Sequence, residues 1–220
     1  MKLGKLTPAR FITRVNRFLC VVELGKVKRK AVLRNTGRLN ELLREGGEVY
    51  VRRKTTGKYN YEIVLAKTET GLVCLDSHMP PSLLIEYMHR TGEPWKCSEI
   101  KREFKVGSSR FDLLIDKKIL VETKSVNLVK DSVALFPDAP TERGAKHIRE
   151  LMKLSTRFEP ALVFIVQRQD ATYFSPNYRR DPQFAEVLRR FYDEGFTVKA
   201  FLCKVTLRNI EIYREIPVIF

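Results

Sequence analysis

Two adjacent prolines, Pro80-Pro81, divide the 220-residue chain into stretches of different periodicity, and this change limits its architecture more than any other feature. Proline fixes φ and has no N–H to give to a ladder, so regular pairing is interrupted there. Before the break, runs at 9–15, 18–24, 28–33, 48–53, 59–66 and 71–75 are rich in β-branched, aromatic or alternating residues, as short strands are. Glycine-bearing turns separate them: 23–26, 44–47, 55–58 and 69–71. One short helix is expected around 39–43, after Asn35-Thr36-Gly37. About five short strands and one small helix predict a small β-barrel over residues 1–80. An OB-type and an SH3-like barrel both fit this pattern. The OB type holds oligonucleotides on a strand face and its loops.

After the break, helices and strands alternate. The pattern predicts a helix over 82–91, with Ser82 as N-cap and Gly92 past its end. Strands follow at about 100–106, 110–115 and 119–124, then a helix at 141–157. Residues 161–167 (ALVFIVQ) form an almost uninterrupted apolar run, as a central strand covered on both faces requires. A helix at 182–194 and strands at 197–205 and 210–213 complete an α-β-β-β-α-β-α-β order. The fold expected is mixed α+β, a barrel over 1–80 and an α/β domain with a helix-flanked mixed sheet over 81–220.

With 44% hydrophobic and 30% charged residues, the composition excludes a disordered chain. No run approaches the roughly 18–20 apolar residues needed to cross a bilayer, and no signal-like stretch opens the sequence. A cytoplasmic protein without a membrane partner is expected. Cys20, Cys74, Cys97 and Cys203 form no Cys-x-x-Cys pair and the three histidines supply none, so buried free thiols are expected rather than a structural zinc site. The net charge is +15 and uneven: residues 1–80 hold 17 basic and 7 acidic residues, against 24 and 19 in residues 81–220. A basic first half suits a polyanion, because lysines and arginines that neutralise phosphates release condensed counterions. A heat-adapted or generally adhesive surface would carry the same excess.

The chemistry concentrates in one hairpin. Residues 110–115 and 119–124 flank Asp116-Lys117-Lys118, and pairing Ile115 with Ile119 sets Asp112 opposite Glu122. Side chains alternate faces, so Leu114, Leu120 and Lys124 share that face. Directly opposed carboxylates repel unless a cation lies between them, and Mg²⁺ commonly uses one or two protein carboxylates plus water and phosphate oxygens. Mg²⁺ or Mn²⁺ is the cofactor expected. Lys124 would stabilise charge on an attacked phosphate or help to deprotonate water. A surface hairpin bearing an exposed Asp-Glu-Lys cluster is the alternative. Glu86, on the preceding helix, is a candidate fourth member and third metal ligand, and Gln167 a candidate at the same sheet edge.

In the barrel, Arg34, Asn35, Thr36 and Arg38 lie on or near a Gly-bearing turn where amides and guanidiniums can hold phosphates. Arg52, Arg53, Lys54 and Lys58 interleave with Tyr50, Tyr59 and Tyr61, a pattern suited to bases stacked beside a cationic groove. Core tyrosines with a solvated charged rim would look the same.

The stretches Phe111-Asp112 and Glu122-Thr123-Lys124, after a Glu-bearing helix, resemble the PD-(D/E)XK nuclease superfamily, whose core is αβββαβ. The motif is short. A wider match, from about Arg10 to Val218, resembles the sugar fermentation stimulation protein A family: Asn35-Thr36-Gly37-Arg38, Ser109-Arg110-Phe111-Asp112, Val121-Glu122-Thr123-Lys124, the run ALFPDAPTERG at 134–144, and Val166-Gln167-Arg168-Gln169-Asp170-Ala171. The resemblance implies an N-terminal OB-fold, a nuclease-like second domain and DNA binding. It assigns the metal-binding acids to Asp112 and Glu122, the catalytic lysine to Lys124 and the helix acid to Glu86. Phe111 stands where the superfamily has proline, and Thr123 and Ser125 stand where the family usually has Val and Asn.

Within 134–144, Asp138, Glu142 and Arg143 are candidates to line the site, and a rigid turn capped by Thr141 explains the same residues. Arg110, Lys146 and His147 are candidate phosphate contacts. The function expected is a DNA-binding protein, DNA favoured over RNA, with a divalent-metal nuclease site. The alternative is a non-catalytic DNA-binding regulator linked to sugar metabolism on a nuclease-like fold. No nucleotide-binding or cofactor motif supports a metabolic enzyme.

Overall fold

The computed structural model describes all residues, 1–220. Six strands come first: β1 (Leu6–Asn16), β2 (Leu19–Leu24), β3 (Val27–Leu33), β4 (Glu48–Arg53), β5 (Tyr61–Thr68) and β6 (Gly71–Cys74). β1 pairs antiparallel with β2 and β4, β2 with β3, and β4 with β5. The parallel β3–β5 pairing closes a five-stranded OB-type barrel, on which β6 extends β5. Phe11, Val22, Leu33, Val49 and Ile63 fill it.

The helix expected at 39–43 is absent. Leu39 has φ of 54°, outside the right-handed helical region. Its carbonyl accepts from Leu42 N (3.0 Å) and Leu43 N (2.8 Å), giving one turn and no more. The leucine spacing that resembles a helix serves instead to bury Leu39, Leu42 and Leu43 in the barrel core.

The second unit comprises α1 (Pro80–Thr91), β7 (Ile100–Val106), β8 (Ser109–Ile115), β9 (Ile119–Val126), β10 (Leu128–Lys130), β11 (Val133–Phe136), α2 (Glu142–Lys153), β12 (Glu159–Val166), β13 (Tyr173–Pro176), α3 (Pro182–Asp193), β14 (Thr197–Val205) and β15 (Ile210–Ile216). Six strands form a mixed sheet ordered β15-β14-β12-β9-β8-β7, with β12 parallel to both β9 and β14. Pro160 to Val166 are all buried, as a strand with parallel neighbours and two covered faces demands. β10, β11 and β13 form a small second sheet. At three or four residues each, they are too short for alternation to mark them in the sequence.

The helix ends follow local chemistry. α1 starts two residues before the expected cap: Pro80 and Pro81 occupy its first turn, where a missing N–H is harmless, and Met79 gives no side-chain cap. Ser82 lies inside the helix, its hydroxyl accepting from Arg102 (2.8 Å). Gly92, at φ of 76°, ends it in the left-handed conformation that glycine allows. Thr141 caps α2 by accepting from Gly144 N (3.0 Å), and that helix ends at Lys153, short of 157.

Asp181 caps α3, Oδ1 accepting from Phe184 N (3.0 Å), while Oδ2 accepts from Thr141 N (2.7 Å). One buried carboxylate therefore starts α3 and anchors the entry to α2. Asp181→Ala is expected to lower stability by about 2 kcal/mol, the upper end for a lost cap, because it orphans two N–H groups. Asp181→Asn keeps one acceptor oxygen but sets its NH₂ against the other N–H, so it should recover only part of that stability, and urea midpoints of the three proteins test both statements.

α2 and α3 cover one face of the main sheet, where Ile148, Leu151, Phe184 and Leu188 meet Leu114, Leu120, Leu162 and Phe164. α1 and the barrel share the other, where Leu83, Leu84, Val64 and Leu65 meet Leu113, Val121, Val163 and Phe201. The barrel is thus fused to the second unit through a common core. Buried polar groups lock the joint: Asn35 Nδ2 donates to Asn127 Oδ1 (2.9 Å), and Asn127 Nδ2 to Cys74 O (2.6 Å). The chain start crosses the expected boundary at 80, since Leu3 N donates to Arg208 O (2.9 Å) and Ile210 N to Met1 O (3.0 Å). Cys20, Cys74 and Cys203 are buried free thiols and Cys97 is half-buried. No helix is long and apolar enough to cross a membrane.

Candidate functional site

β8 and β9 pair Leu113 with Val121, Leu114 with Leu120 and Ile115 with Ile119, the register that the three-residue turn implies. The ladder then stops. At the next position a carboxylate replaces backbone pairing: Asp112 Oδ2 accepts from the Thr123 N–H (2.7 Å) and hydroxyl (2.5 Å). Beyond Val121, alternation turns Glu122 and Lys124 toward the face covered by α2. Lys124 Nζ donates to Glu122 Oε1 (2.6 Å), and His147 Nδ1 on α2 lies 2.7 Å from the same oxygen. With the carboxylate accepting, that nitrogen carries a proton. Glu122 is 6% and His147 9% exposed, so the cluster is largely closed to water.

Burial has opposite outcomes for the two acids. It would raise Glu122, but Lys124 and then His147 outweigh it and hold the carboxyl at about 2. Asp112 is raised, first by burial and then by the Glu122 charge, against the Thr123 hydrogen bonds and Lys124. A carboxyl depressed on folding stabilises the fold above its ordinary value of 4.5 and loses that contribution as pH falls through about 2. Between those limits the wild type is expected to lose stability more steeply than Glu122→Gln. Urea midpoints measured across this window give the two slopes, and equal slopes would refute the depressed value.

A cleft of about 720 Å³ opens between the barrel and the second unit. Arg14, Arg17 and Arg38 line its barrel side, Thr123 and Lys124 of β9 its inner wall, and the loop 137–141 its rim. Its lining carries four cationic side chains and one carboxylate, Asp138. Asp112 and Glu122 stand behind Thr123 and Lys124 and do not line it. Arg14 clasps the barrel loop: Nη1 donates to Gly37 O (2.6 Å) and Arg38 O (2.9 Å), and Nη2 to Arg17 O and Asn35 O (both 2.9 Å). Asp138 Oδ2 accepts from Leu39 N (2.7 Å), tying the rim to the same loop.

Asp112, Glu122 and Lys124 are therefore brought together, and Arg38, Asn35 and Asp138 reach the adjoining cleft. Glu86 is not brought there. Its helix packs on the opposite face of the sheet, and its half-exposed carboxylate is 2.7 Å from the Met1 amine. The expectation of a helix acid beside the pair fails because helix–sheet packing decides the face. Arg34 is held by Asp76 (3.2 Å) and His78 (2.6 Å). Arg52 is engaged by Glu62 (2.6 Å) and Leu3 O (3.1 Å). Arg53, Lys54 and Lys58 lie outside the cleft lining, and exposed Arg110 pairs with Glu103 (2.9 Å). Glu142 and Arg143 are exposed on the first turn of α2, also outside it. Gln167 is fully buried, bonded to Ser125 and to Asp76 O (3.0 Å), where it fastens the two units. His147 buttresses Glu122 rather than facing solvent. Arg14, Arg17 and Asn127 carry no local signal, because their partners are distant in sequence.

The fold and its cleft define a two-part class of protein, an OB-type barrel docked on a mixed α/β domain through a shared core. Residues 12–75 match the family description "SfsA N-terminal OB domain", and residues 78–209 match "Sugar fermentation stimulation protein RE domain". The chain belongs to the sugar fermentation stimulation protein family. A sugar fermentation stimulation protein homolog of Aquifex aeolicus is 52% identical over 213 residues, 96% of this chain and 97% of the relative. A homolog of Acetivibrio thermocellus is 40% identical over 227 residues, 98% of this chain and 97% of the relative. A solved structure, described as "The structure of Pyrococcus Furiosus SfsA in complex with Ca2+", is similar with a TM-score of 0.90 and 32% identity. It covers 100% of this chain and 98% of that one.

Proposed function

We propose that the chain binds nucleic acid, DNA in preference to RNA, in the cationic cleft and hydrolyses a phosphodiester there with a divalent cation such as Mg²⁺ or Mn²⁺. The observation that carries the proposal is the Asp112–Glu122–Lys124 cluster, with Lys124 on the cleft wall and the two acids behind it. Asp112 Oδ1 and Glu122 Oε2 take no part in the bonds to Thr123, Lys124 and His147. No group of three or more His, Cys, Asp or Glu side chains suited to an ion gathers in the chain. Two carboxylates completed by water and phosphate oxygens suit Mg²⁺, so the donor set fits. The Ca²⁺ named with the Pyrococcus structure supports a hard-cation site in a relative. The motif likeness to the PD-(D/E)XK superfamily supports phosphodiester hydrolysis.

In this reading Asp112 and Glu122 would hold the ion, which when bound would supply Lewis acidity for phosphodiester hydrolysis. Thr123 holds Asp112 through two hydrogen bonds, and His147 orients Glu122. Lys124 lines the cleft and touches Glu122, so its ammonium stabilises charge developing on a phosphate. Arg14 shapes the barrel loop, and Arg17 and Arg38 track the phosphate backbone.

One observation favours a second reading, a non-catalytic DNA-binding regulator: the two carboxylates stand behind the cleft wall. Cleavage of labelled single- and double-stranded DNA and RNA with Mg²⁺ or Mn²⁺ decides between them. Activity lost in both Asp112→Ala and Lys124→Ala supports the nuclease. Binding without cleavage, unchanged in both variants, supports the regulator.

A further inference from the structure

We infer that Phe18, on the turn beside the cleft, is a base-stacking platform, and that the nucleic acid taken there is single-stranded. This rests on the proposed nucleic-acid binding and adds the form of the ligand. Phe18 is 58% exposed, the most open of the large hydrophobic side chains. It lies in the two-residue turn, Arg17-Phe18, that joins β1 to β2. Its neighbours Asn16 and Arg17 line the cleft together with Arg14 and Arg38.

The tip is held firmly. Phe18 N donates to Asn16 Oδ1 (2.9 Å), Phe18 O accepts from Leu33 N (2.9 Å), and Arg14 grips Arg17 O from the cleft side (2.9 Å). An aromatic ring presented on a braced turn loses little freedom on meeting a planar partner. The surrounding arginines select a polyanion whose planar groups are accessible. Unpaired bases offer their faces to aromatic side chains while cationic groups follow the backbone. A duplex keeps its base faces stacked inside and presents only edges and phosphates. The tyrosines of the other barrel cluster are less open: Tyr50 gives its hydroxyl to Glu48, Tyr50 and Tyr61 pack against core clusters, and the half-buried Tyr59 ring has Lys58 Nζ over it at 5.7 Å.

The test uses a fluorescein-labelled oligothymidylate of about 12 nucleotides, within the span of an OB fold, and a duplex of equal length. Anisotropy is read for the full chain in EDTA and, separately, with Ca²⁺. Phe18→Ala is expected to weaken single-strand binding roughly five- to a hundredfold, the range for loss of one stacked base, and to leave duplex binding unchanged. Phe18→Trp should restore the affinity, and its added tryptophan fluorescence should be quenched by the oligonucleotide, with wild type supplying the Trp95 background. Wild-type binding that is indifferent to Phe18→Ala, or weakened equally for both forms, overturns the stacking inference alone. No binding of either form by wild type overturns it together with the reading on which it rests.

Discussion

Under the proposed function, replacing Lys124 with alanine is expected to lower metal-dependent phosphodiester cleavage on the order of a thousandfold, the loss typical when a fixed charge aimed at the transition state is removed. Lys124 is the one cationic side chain that both lines the cleft and contacts the buried acids, 2.6 Å from Glu122 Oε1. The substitution removes the ammonium from the phosphate and also the first opponent of burial at Glu122. With only His147 left against desolvation, the Glu122 carboxyl should rise, so Mn²⁺ affinity should fall off at a higher pH than in wild type. Calorimetric titration with Mn²⁺ across pH reads this separately from turnover. Lys124→Arg keeps the charge but not the compact ammonium, and should recover the pH profile better than the rate. Asp112→Ala removes a carboxylate and the acceptor of two Thr123 hydrogen bonds, so metal affinity and rate should fall together. A Lys124→Ala protein that cuts at the wild-type rate would remove Lys124 from the chemistry.

The second large effect concerns stability. Phe164→Ala is expected to cost about 3–5 kcal/mol, as for other aromatic truncations in a closed core. Phe164 lies mid-strand in β12 and is fully buried. Its ring stacks on Phe174 of β13 at 4.0 Å between centroids and tilts against Phe136 at 5.6 Å. It thus joins the main sheet to the small one, whose β11 ends at Phe136 and leads directly into the cleft rim. Guanidinium unfolding supplies the number. A loss below about 1 kcal/mol would mean that the neighbouring rings close the space, which close packing opposes.

The candidate site's hairpin was legible because its geometry is local. A three-residue turn between two alternating runs leaves one register that keeps Leu113 and Val121 on one face and Leu114 and Leu120 on the other. Asp112, Glu122 and Lys124 then fall together, because a shift by one residue would turn every apolar side chain to the wrong face. Only the end of the ladder differed: Asp112 bonds to Thr123 instead of facing Glu122 across a continued pair. Glu86 failed because its helix has one apolar stripe and no local rule says which sheet face receives it. The 39–43 turn failed because leucines at helical spacing also suit a loop that buries them in a barrel. Arg52 pairs with Glu62 across the β4–β5 ladder, a contact between strands that the barrel pattern did not assign.

Sequence alone determined the break at Pro80-Pro81, the barrel strands, the apolar run of β12, the Gly92 helix stop and the β8–β9 register. Each depends on periodicity or turn chemistry acting within a few residues. Tertiary structure alone decided that His147 reaches Glu122 from α2, that Arg14 clasps the barrel loop, that Asn35 and Asn127 seal the joint, and that the cleft opens between the two units. These contacts link residues 21 to 92 positions apart in the chain. Their partners are chosen by how two cores share one sheet face, and no local pattern encodes that choice.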